Sequence, residues 1–402
     1  MQKTVLVIGA GLLHCYTIRE AQALGLRVVA TDSNTNAPGA ALADAFLALD
    51  VYDIEGHRRY TRHLARTDHL VGVTCSGGDA APTVAACAAE AGVVGIPYDV
   101  ARRSWDKYEV RYTLERAHLE RYQPQWTRLH ALEHGGFPWS PAGIGGFPCV
   151  VKPTTQRASR GVTIVREHHE LNQAIKKARA YTTDIIAEEL LVGSEHSAEI
   201  VLDVTGDPCH FHVCDRFFSY EHGVPLERGH INPSNLTTLQ HAAIRAMLLR
   251  SADAMGITVG SWKCDVIYTS GGPKIVEGTA RCSGGFDAQV SYPRSSGENL
   301  LRCVIQVACG LPVTSQRLRT PGKYCAIAAI IPRTAGSVCC LPSLGAEVIW
   351  AITPGETVQP PQHCAERAGF VVAEGDGYAE TWHAAYELAE AYAHGLAAKT
   401  TP

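Results

Sequence analysis

The sequence predicts an α/β protein of several packed units, with α+β character in its later part. Three observations predict it. Strand and helix signals alternate through the first hundred residues, the pattern of a parallel βαβ sheet. Strand pairs joined by glycine turns recur between about residues 150 and 280. The chain of 402 residues exceeds one small core and corresponds to roughly two to four units at ordinary domain size.

Composition narrows the classes of function. Lys and Arg number 36 against 40 Asp and Glu, a formal net charge of -4, so the basic excess of a nucleic-acid binder is missing. Small-molecule partners are expected instead, and no nucleic acid. No run reaches the roughly 18 to 20 apolar residues that cross a bilayer, and MQKTVLVIGAGLLHC lacks the charged leader and long apolar stretch of a signal peptide. A soluble cytoplasmic protein without a membrane partner is expected. The fourteen cysteines are scattered, which fits reduced, buried thiols. One cluster, CHFHVC at Cys209 to Cys214, puts His210, His212 and Cys214 on one strand face and Cys209 on the other. It reads as a core strand or a metal site. The core strand is preferred, because no second ligand pair of zinc spacing accompanies it.

Taken in order, TVLVI is a strand, a helix runs through Ala21 and Leu24, RVVA and LVGVTCS are strands, and a helix covers Ala85 to Ala91. Residues 1–100 thus form a small Rossmann-like domain. Its first turn carries Gly9 and Gly11, two glycines of a dinucleotide fingerprint, but His14 stands where the third is required, and Asp32 ends the second strand where a ribose-binding acid would lie. An NAD-dependent oxidoreductase is the rival reading these residues raise. A Rossmann-like domain without dinucleotide is preferred, since the third glycine is absent. Residues 99–119 then read as one helix with Asp99 as N-cap and Lys107 and Arg111 a turn apart on one face. A connecting segment rich in Gly and Pro follows through Phe147.

The stretch VVKPTTQRASRGVTIV, Val150 to Val165, is a hairpin with a lysine inside its first strand. A buried lysine needs a partner charge, and a phosphate would serve Lys152, with the loop Thr154 to Gly161 folding over it. An ordinary hairpin with an exposed lysine fits the same residues. Further on come a helix near residues 169–181, a strand, a glycine turn and a strand in DIIAEELLVGSEHSAEIVLD, and a helix over residues 238–255. SWKCDVIYT and PKIVEG follow, joined by a turn at Ser270 to Gly272. Strands such as YCAIAAIIP and a helix over residues 378–397 close the chain. Glu188, Glu189, Glu195 and Glu199 are expected to cluster around Gly193. Asp265 and Glu277 lie on neighbouring strands, where two carboxylates can converge on hard cations. Arg281 and the turn Ser283, Gly284 and Gly285 add a fixed positive charge and backbone donors.

Lys107, the VVKP strand, the SRGV loop, EELLVGSE and DVIYTSGGPKIVEGTAR, in that order, resemble the ATP-grasp superfamily of carboxylate-amine ligases, with the closest likeness to amino-acid ligases. The resemblance covers nearly the whole chain. It implies a Rossmann-like pre-grasp domain over residues 1–100, an ATP-grasp domain over 101–310 with a lid subdomain at about 120–190, and a C-terminal domain over 311–402 similar to that of biotin carboxylase. It also implies a homodimer, since relatives with this C-terminal domain are often dimers.

By position, the resemblance implies that Lys107 and Lys152 hold ATP phosphates beneath a mobile loop containing Ser159, Arg160 and Gly161. Glu188, Glu189 and the backbone near Leu190 would meet adenine, and Glu195 the ribose. Asp265 and Glu277 would hold magnesium, or manganese in its place. Arg281 would steady the transferring phosphate, and Ser283 to Gly285 the substrate carboxylate. Members usually read Glu-x-Asn-x-Arg where this chain has Glu277-Gly278-Thr279-Ala280-Arg281, so Thr279 offers a neutral hydroxyl in place of an amide oxygen. Loss of catalysis is one consequence that departure allows. The segment CDRFFSYEHGVPLERGHINPSNL, with Arg216, Glu227 and His230, lies where related ligases line the acceptor pocket. The implied activity is ATP-driven coupling of a carboxylate to an amine through an acyl phosphate. Carboxylation or formylation of purine precursors is the alternative within the superfamily.

Overall fold

The computed structural model describes residues 2–129, 141–220, 224–313, 322–397 and 400–401. Residues 130–140 of the Gly- and Pro-rich connecting segment, and 221–223 of the predicted acceptor segment, lie outside them.

The chain opens with β1 (Lys3–Ile8), α1 (Leu12–Ala23), β2 (Arg27–Asp32), β3 (Ala45–Ala48), α2 (Ile54–Thr67), β4 (His69–Thr74) and α3 (Ala81–Ala91). The four strands pair in parallel in the order β3-β2-β1-β4. A parallel sheet is covered on both faces, which explains the unbroken apolar run in β1. Val5 and Val7 pack with Ile18 and Ala21 of α1, while Leu6 and Ile8 pack with Leu64 of α2 and Cys87 of α3. The expected Rossmann-like unit is therefore present.

The single helix expected over residues 99–119 is two helices, α4 (Tyr98–Ser104) and α5 (Lys107–Arg116). The break has a local cause. The Asp106 carboxylate accepts from the backbone N–H groups of Tyr108 at 2.8 Å and Glu109 at 3.4 Å, starting a new helix. Asp99 is not a cap; it sits in the first turn of α4 and pairs with Arg103.

A small antiparallel sheet follows, with β5 (Trp126–Leu129), β6 (Cys149–Pro153), β7 (Thr163–Val165), α6 (Leu171–Arg179) and β8 (Ile185–Glu189). The strand order is β5-β8-β6-β7. Alternation turns Cys149 and Val151 onto Leu171, Ala174, Ile175 and Ala178 of α6, which leaves Lys152 on the opposite face.

The chain then builds β9 (Ser194–Leu202), β10 (Pro208–Ser219), β11 (Leu226–Asn232), α7 (Thr238–Met255), β12 (Gly260–Thr269) and β13 (Gly272–Thr279). Thr237 and Gln240 form a capping box that starts α7. The glycine turn after β8 does not make a hairpin: β8 and β9 belong to different sheets. By contrast β12 and β13 pair directly, Thr269 against Gly272, around the predicted turn. A π-helical turn at Asp287–Ser291 leads into α8 (Tyr292–Ser296) and α9 (Leu300–Ala308). Ile305 of α9 joins the apolar layer beneath α1.

The remaining elements are β14 (Tyr324–Ile330), β15 (Gly336–Val338), β16 (Glu347–Trp350), β17 (Thr357–Val358), β18 (Gly369–Gly375), α10 (Tyr378–Ala397) and β19 (Thr400–Thr401). Three of these strands extend the large sheet, whose order is β13-β12-β9-β10-β11-β14-β18-β16. Ala385, Ala389, Tyr392 and Ala393 of α10 cover Ala326, Ala328 and Val371.

Gly278 lies over the fully buried Trp262 ring, and a Cβ built there falls 2.4 Å from Trp262 Cη2. Gly278→Ala should lower unfolding free energy by about 1–3 kcal/mol, measured by urea denaturation, because overpacking a closed core displaces the ring or the strand.

Candidate active site

A cleft of about 600 Å³ opens between the small sheet, the large sheet, the N-terminal loops and residues 364–370 of the C-terminal part. Its inner wall is built from buried charge.

Lys152 is 4% exposed, and its Nζ lies 2.5 Å from Glu188 Oε2. Arg111 on α5 donates to Glu188 Oε1 at 2.8 Å and to the Val276 carbonyl at 2.6 Å. Burial pushes the Glu188 carboxyl upward, but the two cations outweigh it and hold the group below its usual range. Both oxygens of the carboxylate that the resemblance places at adenine are thus engaged in an ion triad. Beyond it, Glu189, Leu190 and Leu191 line the cleft. The expected acidic cluster around Gly193 does not form. Glu189 accepts from Gln125 N at 3.0 Å, Glu195 accepts from the Tyr220 hydroxyl, and Glu199 accepts from Ser283 N at 2.9 Å. The strands bearing Glu188 and Glu199 belong to separate sheets, and this disperses the acids.

The break before α5 sets Lys107 at the start of a helix facing the cleft. Its Nζ donates to the Gln156 carbonyl and lies 3.4 Å from Glu277 Oε1. Burial pushes its pKa down to about 8 against the pull of Glu277. Arg157, which the sequence reading passed over, approaches the same carboxylate at 2.9 Å and donates to the Trp105 carbonyl at 2.6 Å. The loop around it is left-handed at Ala158, Ser159 and Gly161. Ser159 lines the cleft, and Ala158 accepts from the Cys364 N–H at 3.0 Å. Arg160 and Gly161 are not on the cleft wall: Arg160 turns to His363, and Gly161 abuts Tyr181.

Asp265 and Glu277 are direct cross-strand partners. Arg216 Nη1 reaches Asp265 at 2.7 Å, and Lys263 also pairs with it. Burial would raise both carboxyls, yet Arg216 and Lys263 hold Asp265 low, and Lys107 and Arg157 hold Glu277 down to about 2. Thr279 Oγ1 is buried without a hydrogen-bond partner among the described residues, and Glu277 Oε1 meets its cations without hydrogen-bond geometry. Two carboxylates and an unsatisfied hydroxyl are hard oxygen donors, the set a magnesium ion takes. Among the described residues no group of three or more His, Cys, Asp or Glu could hold a metal ion, so nucleotide oxygens would have to complete the coordination.

Arg281 Nη2 stands 3.3 Å from Asp79 of the N-terminal domain. Gly284 and Gly285 line the cleft, whereas Ser283 is buried behind it. On the facing wall, Glu227 accepts from Arg216 at 2.9 Å and Arg367 at 3.3 Å, with His230 alongside.

The dinucleotide features serve the turn itself. Asp32 accepts from the backbone N–H groups of Ala10 and Asn34, both at 2.9 Å, one at each carboxylate oxygen. The His14 ring fills the space over Gly9, and burial pushes its pKa to about 4. The residues that raised the oxidoreductase reading thus have local structural roles. In β10, His210, His212 and Cys214 share a face as expected. That face meets Asp287, with His212 Nε2 at 3.1 Å and Cys214 Sγ at 3.7 Å.

Fold and cleft together define an α/β protein built to gather phosphate-compatible cations and paired carboxylates. Residues 145–287 match the ATP-grasp domain model. It is 28% identical over 166 residues to a D-alanine–D-alanine ligase of Methylacidiphilum infernorum, a match covering 39% of this chain and 54% of the relative. The chain therefore spans about half the length of that relative. A formate-dependent phosphoribosylglycinamide formyltransferase of Haloquadratum walsbyi is 25% identical over 364 residues, 82% of this chain and 80% of the relative. The L-amino acid ligase structure from Bacillus licheniformis superposes with a TM-score of 0.77 at 22% identity, covering 97% of this chain and 98% of that one. No helix among the described residues is long and apolar enough to cross a membrane.

Glu188→Gln leaves Arg111 and Lys152 buried without their counter-charge. Urea denaturation should show a loss of about 3–5 kcal/mol, the usual consequence of removing one partner from a buried ion pair.

Proposed function

We propose that this protein is an ATP- and magnesium-dependent ligase that converts a substrate carboxylate to an acyl phosphate and couples it to an amine. Amino acids are the substrates on both sides, and ADP and phosphate the other products. The carrying observation is that the cross-strand carboxylates Asp265 and Glu277 share one cleft with Lys107, Lys152, Arg157 and Arg281.

A carboxylate oxygen is a poor leaving group until it is phosphorylated. That transfer is catalysed chiefly by positioning and by neutralising charge. Lys107 and Lys152 hold the polyphosphate on the inner wall, and Arg281 steadies the phosphoryl group as it moves. Magnesium, held by Asp265 and Glu277 with Thr279 beside them, neutralises charge on the transferring group when bound. The loop from Thr154 to Gly161 covers the phosphates and excludes water from the acyl phosphate. Arg216, Glu227 and Arg367 set opposite charges side by side on the acceptor wall, which suits a zwitterionic amino acid.

Incubation with ATP, magnesium and pooled L-amino acids should release phosphate and ADP. Formation of AMP instead would overturn the reading. Arg281→Ala should lower kcat by about 100- to 1000-fold, in line with the loss of one preorganised charge at a transition state. Thr279→Asn restores an amide oxygen next to Glu277, and the magnesium concentration giving half-maximal phosphate release should fall.

The similarity over four-fifths of the Haloquadratum relative favours a second reading, carboxylation or formylation of a purine precursor. Phosphate release that requires formate or bicarbonate together with phosphoribosylglycinamide, and not amino acids, would select it.

A further inference from the structure

Amide formation needs a group that takes a proton from the attacking amine, and two acceptor-wall residues compete for that role. Glu227 is a poor base. Its two oxygens accept from Arg216 at 2.9 Å and Arg367 at 3.3 Å, and these cations outweigh burial to hold its carboxyl down to about 2. His230 lines the same cleft, and a Cβ built at Gly285 would stand 4.0 Å from its Cε1, so the ring edge faces the glycine turn.

Behind His230 lies a closed polar cluster whose hydrogens can be counted. Asn232 Nδ2 has two hydrogens and two acceptors in range, Asp287 Oδ1 at 2.7 Å and Ser291 Oγ at 2.9 Å. The reverse amide orientation would set its oxygen against the Asp287 carboxylate, so the orientation is fixed by chemistry. Ser291 has a single hydrogen and lies 3.5 Å from Asp287 Oδ1. That hydrogen has two acceptors in range, the Asp287 carboxylate, which is the stronger, and His230 Nε2, which is the nearer at 3.0 Å. With the hydrogen on Asp287, Ser291 receives an N–H from His230 Nε2 at 3.0 Å. His230 is then protonated at Nε2, and Nδ1 is left as a free acceptor. Asp287 is anchored from the other side by His212 Nε2 at 3.1 Å.

We propose that His230 is the base that deprotonates the attacking amine, and that Ser291, Asn232 and Asp287 are positioning residues that hold it in the one tautomer able to do so. This rests on the ligase reading. In the step, the lone pair of the free amine forms the C–N bond, and the bond from the acyl carbon to the phosphate oxygen breaks with its electrons leaving on phosphate. The amine N–H proton moves to His230 Nδ1. The resulting imidazolium is steadied by Asp287 through Ser291, the logic by which a buried aspartate orients and steadies a catalytic histidine. The electrostatics agree. Burial pushes His230 downward, and among the charges facing it Arg216 and Arg367 add to that while Asp287 and Glu227 oppose it, so the ring rests neutral. Burial would raise Asp287, but His212 and the Asn232 amide hold it low; burial would lower His212, but Asp287 lifts it.

The tautomer can be observed without any substrate. In protein labelled with 15N-histidine, the His230 ring, assigned by its loss in His230→Ala, should titrate as a neutral Nε2–H form, and Ser291→Ala should shift it to a tautomer mixture. An Nδ1–H form in the unaltered protein overturns the proposal. Kinetically, ATP, magnesium and pooled standard L-amino acids are supplied with or without hydroxylamine, which traps acyl phosphate as hydroxamate. His230→Ala should lower amide formation about 100-fold or more while hydroxamate yield is retained, and added imidazole should restore part of the amide. Equal loss of both products, or wild-type amide formation in the variant, overturns the base alone. Absence of hydroxamate from the unaltered protein overturns the ligase reading and the base with it.

Discussion

The arrangement of the cleft depends on one buried carboxylate, Glu188. Taking ions out of water costs several kcal/mol each even after relaxation, and a triad is tolerated only when every member is paired and hydrogen-bonded. Glu188 meets that condition for Arg111 and Lys152. Its partners come from different places: β8 supplies the acid, β6 the lysine and α5 the arginine, which also bonds the Val276 carbonyl in β13. One charge cluster therefore fixes the small sheet against both the helix and the large sheet. The position of Lys152 is a consequence of that junction.

The same pairing recurs around the wall. Glu277 faces Lys107 and Arg157, Asp265 faces Arg216 and Lys263, and Asp79 faces Arg281. Each of these cations is matched by a carboxylate, and two of the carboxylates, Asp265 and Glu277, are the pair suited to a divalent ion. Under the proposed ligase function, a nucleotide arriving with its metal would exchange partners without leaving a buried charge alone, cations turning to phosphate oxygens and acids to the metal. The mutual pairing is how so many ionised groups coexist in one cleft.

Features with local causes were legible in the sequence. The bounds of α7 follow from its Thr237 capping box and its Gly256 C-cap, and the β12–β13 hairpin from its Ser270–Gly271 turn, which makes Asp265 and Glu277 partners by register. Lys152 inside an apolar strand marked itself by its own cost of burial. Even α2 carried signals that could have been read, an Asp53 cap and buried Thr61 and Leu64 on one face. Other features were hidden because their causes lie far away in the chain. Arg157 is one polar loop residue among several until β13 brings Glu277 beside it. The separation of β8 from β9, the dispersal of the four glutamates, and the addition of β14, β18 and β16 to the large sheet are set by tertiary pairing that local pattern does not carry.

The N-terminal domain shows how a motif can be correct in shape and misleading in chemistry. In open α/β sheets, ligands gather at the carboxyl ends of the strands where the connections change direction. Here that point lies between β1 and β4, where the order β3-β2-β1-β4 reverses direction. The loops leaving those two strands supply Gly11, Leu12, Leu13, His14, Gly77 and Asp79 to the cleft. The topology thus delivers a wall to the place it would deliver a dinucleotide. Asp32, however, is consumed by the backbone of its own turn, and the His14 ring occupies the space over Gly9. Gly9 and Gly11 suit any tight βα turn of this kind; the third glycine of the fingerprint serves close packing of helix on strand, and the histidine that replaces it fills the space over Gly9, so the domain forms the far side of a cleft whose charges lie elsewhere.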